Sequence, residues 1–435
     1  MSGLIELVSR LYPFGYSVTG PGSDAAVEAM RRELAFETLE YPSGRELNGW
    51  LIPHACIVER AELRRNGKLV YDGMTSPLGV PAQSESFSGR LPLQELEGHL
   101  FTSENDADAI PYHWTRLYRP DEPVWGFCMP QRIKDALTPG DYDVELVTRR
   151  MPSTMKVLIH RLPGELDDLM LINAHNCHPY QANDDISGVA IGIELMRRLA
   201  AMPRRRLSYS LLVAPELFGP MFWLDAMKPN EAARIKGAIL LKSVGNCRPL
   251  RLQQSFTGKS ALDLAAHNVF RRRFGTYDWG EFRAIYGNDE TVFEAPPFAI
   301  PAVSLTRWPF PEYHTDQDTP ERLSETQMQD TLETALSICN ALEANVCLEP
   351  CFKGLVCLSR RGLYKPLPAV GPDGVDYMSE AGRWNRLMNS LPRHIDGRTG
   401  LLEIAEKYQL PINEVHDYAM AWVRAGLARE MHPHA

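Results

Sequence analysis

Apolar and polar positions change their spacing several times along the chain, which predicts segments of different architecture. Residues 3–34 carry apolar positions at helical spacing, interrupted by Tyr12-Pro13-Phe14-Gly15, and this pattern predicts two helices. From residue 36 to about residue 135 the apolar positions fall in short extended runs between Gly, Pro and Ser residues. This second pattern predicts a small β-rich unit.

The stretch from 136 to 348 alternates between short apolar runs and amphipathic segments. Such alternation predicts a largely parallel sheet that is covered by helices on both faces. We expect residues 141–162 to form two strands paired as a hairpin. A long helix is predicted from Ser324 to Ala344, with Ser324 and Gln327 as its capping box. The runs that read as buried strands are 167–175, 207–215, 235–245 and 300–307.

The last segment, 351–435, predicts a small helical unit of winged-helix shape, with Gly426 ending its final helix. It holds 11 Lys+Arg and 9 Asp+Glu, a surplus of 11 − 9 = +2. DNA binding would need a larger positive surplus, so we expect protein contact or structural support. The predicted fold class is α/β: a doubly wound, mostly parallel sheet from 1–35 and 136–348, with an inserted β-rich domain at 36–135 and a winged helix at 351–435.

Composition and charge narrow the possible functions. The chain has 435 residues, of which 44% are hydrophobic and 23% are charged, as in globular proteins. The charge, 46 − 55 = −9, argues against a protein that coats nucleic acid. No apolar run approaches the roughly 18 residues of a membrane span, and the N-terminus is too polar for a secretory signal. We expect a soluble, cytoplasmic protein, and association of identical chains stays open.

Residues 171–190 contain the strongest candidate for a metal site. A predicted buried strand leads to His175, Cys177 and His178, and Asp184 follows just before the next predicted helix. Neutral imidazole and carboxylate are ligands that suit Zn²⁺. Ser187-Gly188 would let that helix begin close against the strand. The alternative is that the histidines are ordinary core residues and that Asp184 caps the helix.

Three further polar clusters stand close to predicted strands. Glu216 directly follows a buried strand, where a carboxylate is costly unless it faces a cleft or a partner, and its expected role is that of a general base. His314 offers another metal ligand, and a nearby carboxylate, Asp316 or Asp318, would orient its ring. Asp289-Glu290 could hold a substrate's ammonium group. A solvated acidic loop is the alternative in each case.

In this order along the chain, the clusters resemble the zinc aminopeptidase clan. In that clan a strand-end His, an Asn-Asp before Ser-Gly, a strand-end Glu and a Tyr-His-Thr follow one another. More closely, the chain resembles a bacterial family of aminopeptidase-like proteins with a small inserted β domain and a C-terminal winged helix. The matching motifs are Ser17-Val-Thr-Gly20, Pro42-Ser-Gly44, Asp108-Ala-Ile-Pro111, Trp125-Gly-Phe-Cys128, Cys177-His-Pro179, Ala182-Asn-Asp184, Pro215-Glu216, Asp289-Glu290 and Tyr313-His-Thr315.

The resemblance implies a metal site and a catalytic base. It identifies His178, Asp184 and His314 as metal ligands and Glu216 as the base. The two-metal enzymes of the clan have two consecutive glutamates where this chain has Glu216 alone, and a carboxylate where it has Lys242. We therefore expect one Zn per chain, with Lys242 in the place of a second ion. His175 is the alternative to His178, which lies in the narrower family's Cys-His-Pro signature.

The function implied is that of a zinc-dependent hydrolase cleaving an amide or peptide bond next to a free amino terminus, in a small peptide or aminoacyl substrate. Asp289 or Glu290 would bind the amino group, Arg307 would face a substrate carboxylate, and Tyr313 would also contact the substrate. Two alternatives stay open. One is single-zinc acyl transfer or cyclisation of an aminoacyl substrate in a biosynthetic pathway. The other is an inactive peptidase fold used as a binding module, which the intact Glu216 argues against.

Overall fold

A computed structural model describes residues 3–365 and 376–431. Parts of the predicted first and last domains (1–2, 366–375 and 432–435) lie outside the described residues. The helices are α1 (Leu4–Leu11), α2 (Pro21–Glu33), α3 (Leu93–Leu96), α4 (Thr115–Tyr118), α5 (Gln131–Asp135), α6 (Ser187–Ala200), α7 (Phe218–Asp225), α8 (Pro229–Ala232), α9 (Ala261–Phe274), α10 (Glu290–Phe293), α11 (Glu325–Glu343), α12 (Glu380–His394), α13 (Leu401–Tyr408) and α14 (Ile412–Arg424). The strands are β1 (Glu37–Pro42), β2 (Glu46–Leu47), β3 (Trp50–Leu51), β4 (Ala55–Arg65), β5 (Lys68–Asp72), β6 (Phe87–Pro92), β7 (Leu100–Phe101), β8 (Phe127–Cys128), β9 (Asp141–Met151), β10 (Thr154–Leu162), β11 (Leu169–His175), β12 (Ser208–Ala214), β13 (Ile235–Lys242), β14 (Arg251–Gln253), β15 (Trp279–Gly280), β16 (Ala302–Thr306), β17 (Cys347–Pro350) and β18 (Ala428–Met431).

The central sheet has eight strands within the described residues, in the order β1-β10-β12-β11-β13-β16-β14-β15. Strands β12, β11, β13 and β16 are parallel to one another, while β10 and β14 join this group antiparallel. Almost every residue of β11, β12 and β13 is buried, as expected for strands that are covered on both faces. The predicted α/β fold with a mostly parallel sheet is confirmed.

Side chains that alternate along the central strands enter two different cores. Met170 and Ile172 of β11 pack with α1, α2, α6, α9 and α11, whereas Leu171 packs with α7 on the opposite face. This alternation follows from the two-residue period of a strand. The sheet is therefore covered on both sides, and the candidate site residues His175 and Lys242 lie at strand ends.

The connections around β11 create a site at its carboxyl end. The chain leaves β11, forms α6 and returns as β12 on one side, and the next strand, β13, lies on the other side of β11. At such a switch point the connecting loops separate and leave a crevice beyond the strand ends. His175 is the last residue of β11 and therefore lies at this crevice.

A second, smaller sheet has the order β5-β4-β9-β6. The predicted hairpin over 141–162 is wrong, because β9 pairs with β4 and β6 whereas β10 pairs with β1 and β12. Burial explains the split: β9 buries alternate residues against its own small core, while β10 has three consecutive buried residues. By strand membership β1 belongs to the central sheet and β9 to the small one, which differs from the predicted 36–135 boundaries.

The C-terminal part contains α12, α13 and α14, and β18 pairs with β17. Gly426 follows α14 with φ of 70°, as predicted for a helix end, since glycine adopts this left-handed backbone without steric cost. The Ser324 side chain accepts a hydrogen bond from the Gln327 backbone N–H, as predicted for the start of α11. Winged-helix identity stays a prediction.

Among the described residues, no helix has the length and apolar character needed to cross a bilayer.

Asn268 of α9 joins the C-terminal helices to the central unit. Its buried amide donates to the Leu410 carbonyl oxygen at 2.9 Å and accepts from the Ile412 N–H at 3.1 Å. Removing it would leave two backbone groups without these partners, and a buried unsatisfied group costs roughly 1–3 kcal/mol.

We predict that Asn268→Ala lowers the free energy of unfolding by about 2 kcal/mol. Urea denaturation followed by circular dichroism measures this change. Asn340→Ala, at an exposed position of α11, is the matched control and should stay within about 0.5 kcal/mol of the parent. Equal stability of the two variants would contradict the proposed joining role of Asn268.

Candidate metal centre and catalytic cavity

The predicted site residues meet at the carboxyl edge of the central sheet. His175 ends β11, Glu216 follows the end of β12 by two residues, and Lys242 ends β13. Because β11, β12 and β13 are parallel neighbours, their last residues share one edge. Sequence-distant side chains are brought together by the sheet topology.

His178, Asp184 and His314 bring their ligand atoms within 4.8 Å of one another. The Nε2 atoms of His178 and His314 lie 3.5 and 3.7 Å from Asp184 Oδ2. Within the described residues, His178 Nε2 and Asp184 Oδ2 are buried without a hydrogen-bond partner. Buried polar atoms without partners are rare and point to an ion or ligand. Two imidazoles and a carboxylate suit zinc, so the residues present fit this ion.

Neighbouring groups hold both imidazole rings in place. His178 Nδ1 donates to the Pro179 carbonyl oxygen at 2.9 Å, which leaves Nε2 unprotonated in the neutral ring. Tyr112 stacks on the His178 ring with centroids 4.5 Å apart, and Tyr313 stacks on the His314 ring at 3.8 Å. Burial, followed by the nearby His178, holds the pKa of His314 well below its usual value. These contacts fix the orientation of both rings beside Asp184.

Asp318 fixes the backbone around Asp184. Its Oδ1 accepts from the Asn183 N–H at 2.7 Å and its Oδ2 accepts from the Asp184 N–H at 3.0 Å. Asp316 Oδ1 accepts from the Ile110 N–H at 2.9 Å. Asp316 or Asp318 was expected to orient the His314 ring. Instead, both carboxylates accept hydrogen bonds from backbone amides of the neighbouring loops.

Asp185 ties the ends of β11 and β13 together, a role that the sequence reading missed. It accepts from the Ser243 N–H at 3.0 Å and the His175 N–H at 3.3 Å. A Cβ atom on Gly188 would lie 2.4 Å from the Leu241 carbonyl oxygen, so a larger residue would push α6 away from β13. The expected close start of the helix at Ser187-Gly188 is therefore confirmed. The available signal for Asp185 was a second aspartate next to the predicted ligand.

Lys242 is buried and points its ammonium group at two site residues. Its Nζ contacts Asp184 Oδ1 and His175 Nε2, and it lies 4.9 Å from the centroid of the Tyr286 ring. Burial alone would lower the pKa of Lys242, but the Asp184 and Glu216 carboxylates hold it well above its usual value. An ammonium group only donates, so His175 Nε2 is the acceptor. The lone pair with which His175 could bind a metal is therefore engaged.

Asp184 carries the negative charge of this cluster. Burial would raise the pKa of Asp184, but the Lys242 ammonium outweighs this effect and holds the pKa well below its usual value. One carboxylate oxygen thus faces Lys242 while the other faces the two candidate ligand rings.

Glu216 faces the same cavity as His178 and His314. Its Oε1 accepts from the Asn288 side-chain amide at 2.8 Å. Its carboxylate also lies within 4.8 Å of the ligand atoms of His175 and Cys177. Burial raises the pKa of the Cys177 thiol well above its usual value, so the thiol stays protonated. Glu216 is therefore the carboxylate that borders this cavity.

The cavity measures about 270 Å³ and is bordered mainly by aromatic rings, which the sequence reading missed apart from Tyr313. Three of these rings come from the predicted inserted segment, whose backbone reaches the ligand loop through the Tyr112 N–H and the His314 carbonyl oxygen, 2.8 Å apart. Scattered aromatic residues in a loop have no periodicity that would reveal such a role. The bordering aromatic residues are Tyr112, Trp114, Tyr118, Phe218, Tyr286 and Tyr313.

The structure places Asp289 and Glu290 behind the cavity. Asp289 Oδ1 accepts from the Leu217 N–H at 2.6 Å, and Glu290 accepts from the Asn288 N–H. Burial, with the nearby Glu216 charge, raises the pKa of Asp289 to about 8, and burial raises that of Glu290 to about 7. This placement differs from the expected direct contact with a substrate ammonium, because both carboxyls bind backbone amides of the loops that carry Glu216 and Asn288.

The structure also gives Arg307 partners within the protein. Its buried guanidinium donates to the Arg248 carbonyl oxygen at 2.6 Å and to Asp330 Oδ2 at 3.0 Å. It also donates to the Thr331 hydroxyl. This arrangement differs from the expected contact between Arg307 and a substrate carboxylate, because the guanidinium already donates to Asp330 and Thr331 of α11. Tyr313, by contrast, borders the cavity, and its hydroxyl lies 2.5 Å from that of Tyr286.

Comparison with known proteins supports the fold. A protein from Clostridium acetobutylicum, named "Putative polysaccharide biosynthesis protein with aminopeptidase-like domain", is 27% identical over 432 residues, covering 98% of this chain and 96% of that protein. A crystal structure of a "putative peptidase" from the same species is similar over 98% of this chain and 96% of that chain, with 25% identity and a TM-score of 0.81. A zinc aminopeptidase from Bacillus subtilis shares the fold at 13% identity and a TM-score of 0.59, over 77% of this chain and 93% of that chain.

The predicted resemblance to zinc aminopeptidase-like proteins is confirmed at the level of the fold. A family model described as "Domain of unknown function (DUF4910)" matches residues 5–345. That range spans the central sheet, the inserted segment and every candidate site residue. The chain belongs to the DUF4910 family.

Proposed function

We propose that this protein is a metallohydrolase that cleaves an amide or peptide bond next to a free amino terminus. The observation that carries the proposal is the pair of buried, unpartnered atoms, His178 Nε2 and Asp184 Oδ2, beside His314 in a cavity that also contains Glu216. Relatives with peptidase-like names and zinc aminopeptidase folds support the same reaction class.

His178, Asp184 and His314 would hold one zinc ion, which would supply Lewis acidity toward the scissile carbonyl and toward water. Glu216 would accept a proton from the attacking water and deliver it to the leaving amine. Asn288 holds one oxygen of Glu216, so the carboxylate is oriented before substrate binds. The aromatic residues around the cavity would exclude bulk water from the reacting groups. A volume of about 270 Å³ suits a single aminoacyl group.

Lys242 supports the proposal of one zinc rather than two. Its ammonium group contacts Asp184 Oδ1 and His175 Nε2, atoms that would otherwise be free to bind a second cation. A second cation in contact with this buried ammonium would be repelled. The site would therefore contain two sources of positive charge, an exchangeable zinc ion and the fixed ammonium group of Lys242.

We predict that Glu216→Gln lowers kcat for hydrolysis of aminoacyl amides by at least about a hundredfold, because an amide cannot accept the proton. Zinc content should not change, since Glu216 lies outside the ligand set. Steady-state kinetics on leucine amide, with metal analysis of the same samples, measures both quantities. Glu104→Gln, at an exposed position, is the matched control. Activity of Glu216→Gln at the parent rate would remove this residue from the role of base.

We predict close to one zinc per chain in the purified protein. His178→Ala should lower the zinc content to about a tenth of the parent value or less, because loss of a ligand weakens binding at least as much as loss of a supporting contact. Inductively coupled plasma mass spectrometry after dialysis gives the stoichiometry, and His416→Ala on α14 is the matched control. Two zinc ions per chain, or zinc loss in His175→Ala but not in His178→Ala, would contradict the proposed ligand set.

We predict that Asp289→Asn removes a pH dependence of stability. In the folded protein the pKa of Asp289 is about 8, against an ordinary value of 3.8, so the folded state holds one more proton between these values. Stability then falls as pH rises from about 4 to 8 and changes no further above it. Calorimetry gives the Tm of both proteins at pH 5 and at pH 8. As the pH rises from 5 to 8, the difference in Tm between Asp289→Asn and the parent should shift in favour of the variant by at least about 2 °C.

The same variant separates positioning from substrate binding. Asparagine can still accept the hydrogen bond from the Leu217 N–H, so the KM for leucine amide should change less than about threefold if Asp289 acts through that contact. A KM increase of tenfold or more, without a matching change in kcat, would instead indicate that Asp289 binds the substrate ammonium directly.

A further inference from the structure

A second, larger cavity adjoins the proposed catalytic cavity. It measures about 1050 Å³, at the upper end of the range for small-molecule sites, and its border includes exposed Pro296 and Pro297, so it opens to solvent. Several of its apolar side chains are only half-buried, which leaves apolar surface in contact with water. The apolar side chains bordering it include Trp50, Met221, Met227, Val292, Phe298 and Ile300.

Two contacts place the large cavity directly beside the reacting groups. Leu217, the residue after Glu216, borders both cavities, and its backbone N–H is held by Asp289 Oδ1 at 2.6 Å. Arg283 borders the large cavity and packs on Gly287, which borders the catalytic one: a Cβ atom on Gly287 would lie 2.1 Å from the guanidinium. The two cavities are therefore neighbours that share Leu217 as a border residue.

The chemistry of the large cavity favours an aliphatic chain over a peptide. Four of its bordering residues are prolines, Pro229, Pro296, Pro297 and Pro301, which have no N–H to pair with a peptide backbone. The charged residues at its border have partners within the protein: Asp225 is paired with Arg45 at 2.9 Å, Lys236 lies 3.8 Å from Asp168, and Arg283 donates to the Thr291 hydroxyl at 3.3 Å. Burial of each methylene group contributes about 0.8 kcal/mol to binding. An apolar border of this extent would therefore bind a long chain more tightly than a short one.

The position of Glu216 indicates which part of the substrate carries the chain. In hydrolysis, water adds its oxygen to the carbonyl carbon, the C–N bond breaks, and Glu216 transfers the water's proton to the departing nitrogen. The leaving amine must therefore lie next to Glu216, whose neighbour in the chain, Leu217, borders both cavities.

We propose that the large cavity binds an unbranched aliphatic chain attached to the leaving amine, so that the substrate is an aminoacyl N-alkylamide or a close structural equivalent. This inference rests on the proposed function for its chemistry, but the chain-binding cavity can be tested without hydrolysis.

The first experiment compares leucine amide with leucine N-butylamide, N-octylamide and N-dodecylamide as substrates of the full-length zinc-loaded protein. We expect kcat/KM to rise at least tenfold from the butyl to the octyl compound, as burial of four methylene groups allows. A kcat/KM that is flat or falls with chain length would overturn the proposal.

The second experiment measures binding of the fluorescent apolar probe N-phenyl-1-naphthylamine and its displacement by dodecylamine. Ala295→Trp, which fills the cavity, should weaken probe binding at least tenfold, whereas Ala201→Trp at an exposed position outside it should not. Ala233→Trp, at an exposed point of the cavity border, is the second filling variant in case Ala295→Trp does not fold. Equal probe binding by parent and filled variants would overturn the proposal.

The two experiments distinguish failure of the cavity from failure of the reaction. If the filled variants lose probe binding but no leucine amide of any length is hydrolysed, the proposed function fails while the chain-binding cavity stands. If sedimentation shows a dimer of the parent that Ala295→Trp converts to monomer, a second copy of the chain covers the cavity and the aliphatic ligand is excluded.

Discussion

The buried carboxylate of Asp184 is the constraint around which the site is organised. A carboxylate without access to water is costly unless both oxygens find positive or donating partners. Lys242 contacts one oxygen, while the other faces His178 and His314 without a hydrogen-bond partner in the described residues. A cation between the three side chains would supply the positive partner that this oxygen lacks among the described residues.

The neighbouring carboxyl groups keep the negative charge concentrated at Asp184. Burial raises the pKa values of Asp185, Asp289 and Asp318, and each of them accepts hydrogen bonds from backbone N–H groups. The pKa of Asp184 is lowered, because Lys242 lies against it. These other acidic residues therefore support the loops, and Asp184 is the carboxylate that would offer a cation its negative charge. In the proposed one-zinc site, the Lys242 ammonium at the end of β13 stands against a second ion.

The convergence of the candidate ligands could be predicted from the sequence because they lie in loops near buried strand ends or before a helix, and parallel strands end at one edge. The assignment of β9 and β10 to different sheets could also have been predicted. Alternate burial in β9 and continuous apolar character in β10 indicate different sheets. The aromatic residues at 112–118 could not, because their position depends on long-range contacts such as the bridge between Pro111 and Thr315. The surroundings of Asp289 and Arg307 could not be predicted for the same reason, since their hydrogen-bond partners are distant in the sequence.

The inserted segment and the central sheet contribute different properties to the same site. The sheet supplies the ligands and Glu216, and on its own would leave them at an open edge. Tyr112, Trp114 and Tyr118 narrow this edge to a small cavity next to the ligands, whereas the larger apolar cavity is formed mainly by residues of the central unit, with Trp50 at its border. Leu217 lies between the two because it follows Glu216 directly in the chain. In the proposed function, proton transfer by Glu216 and binding of the leaving group beside Leu217 would involve adjacent residues, so a change in this loop would affect both.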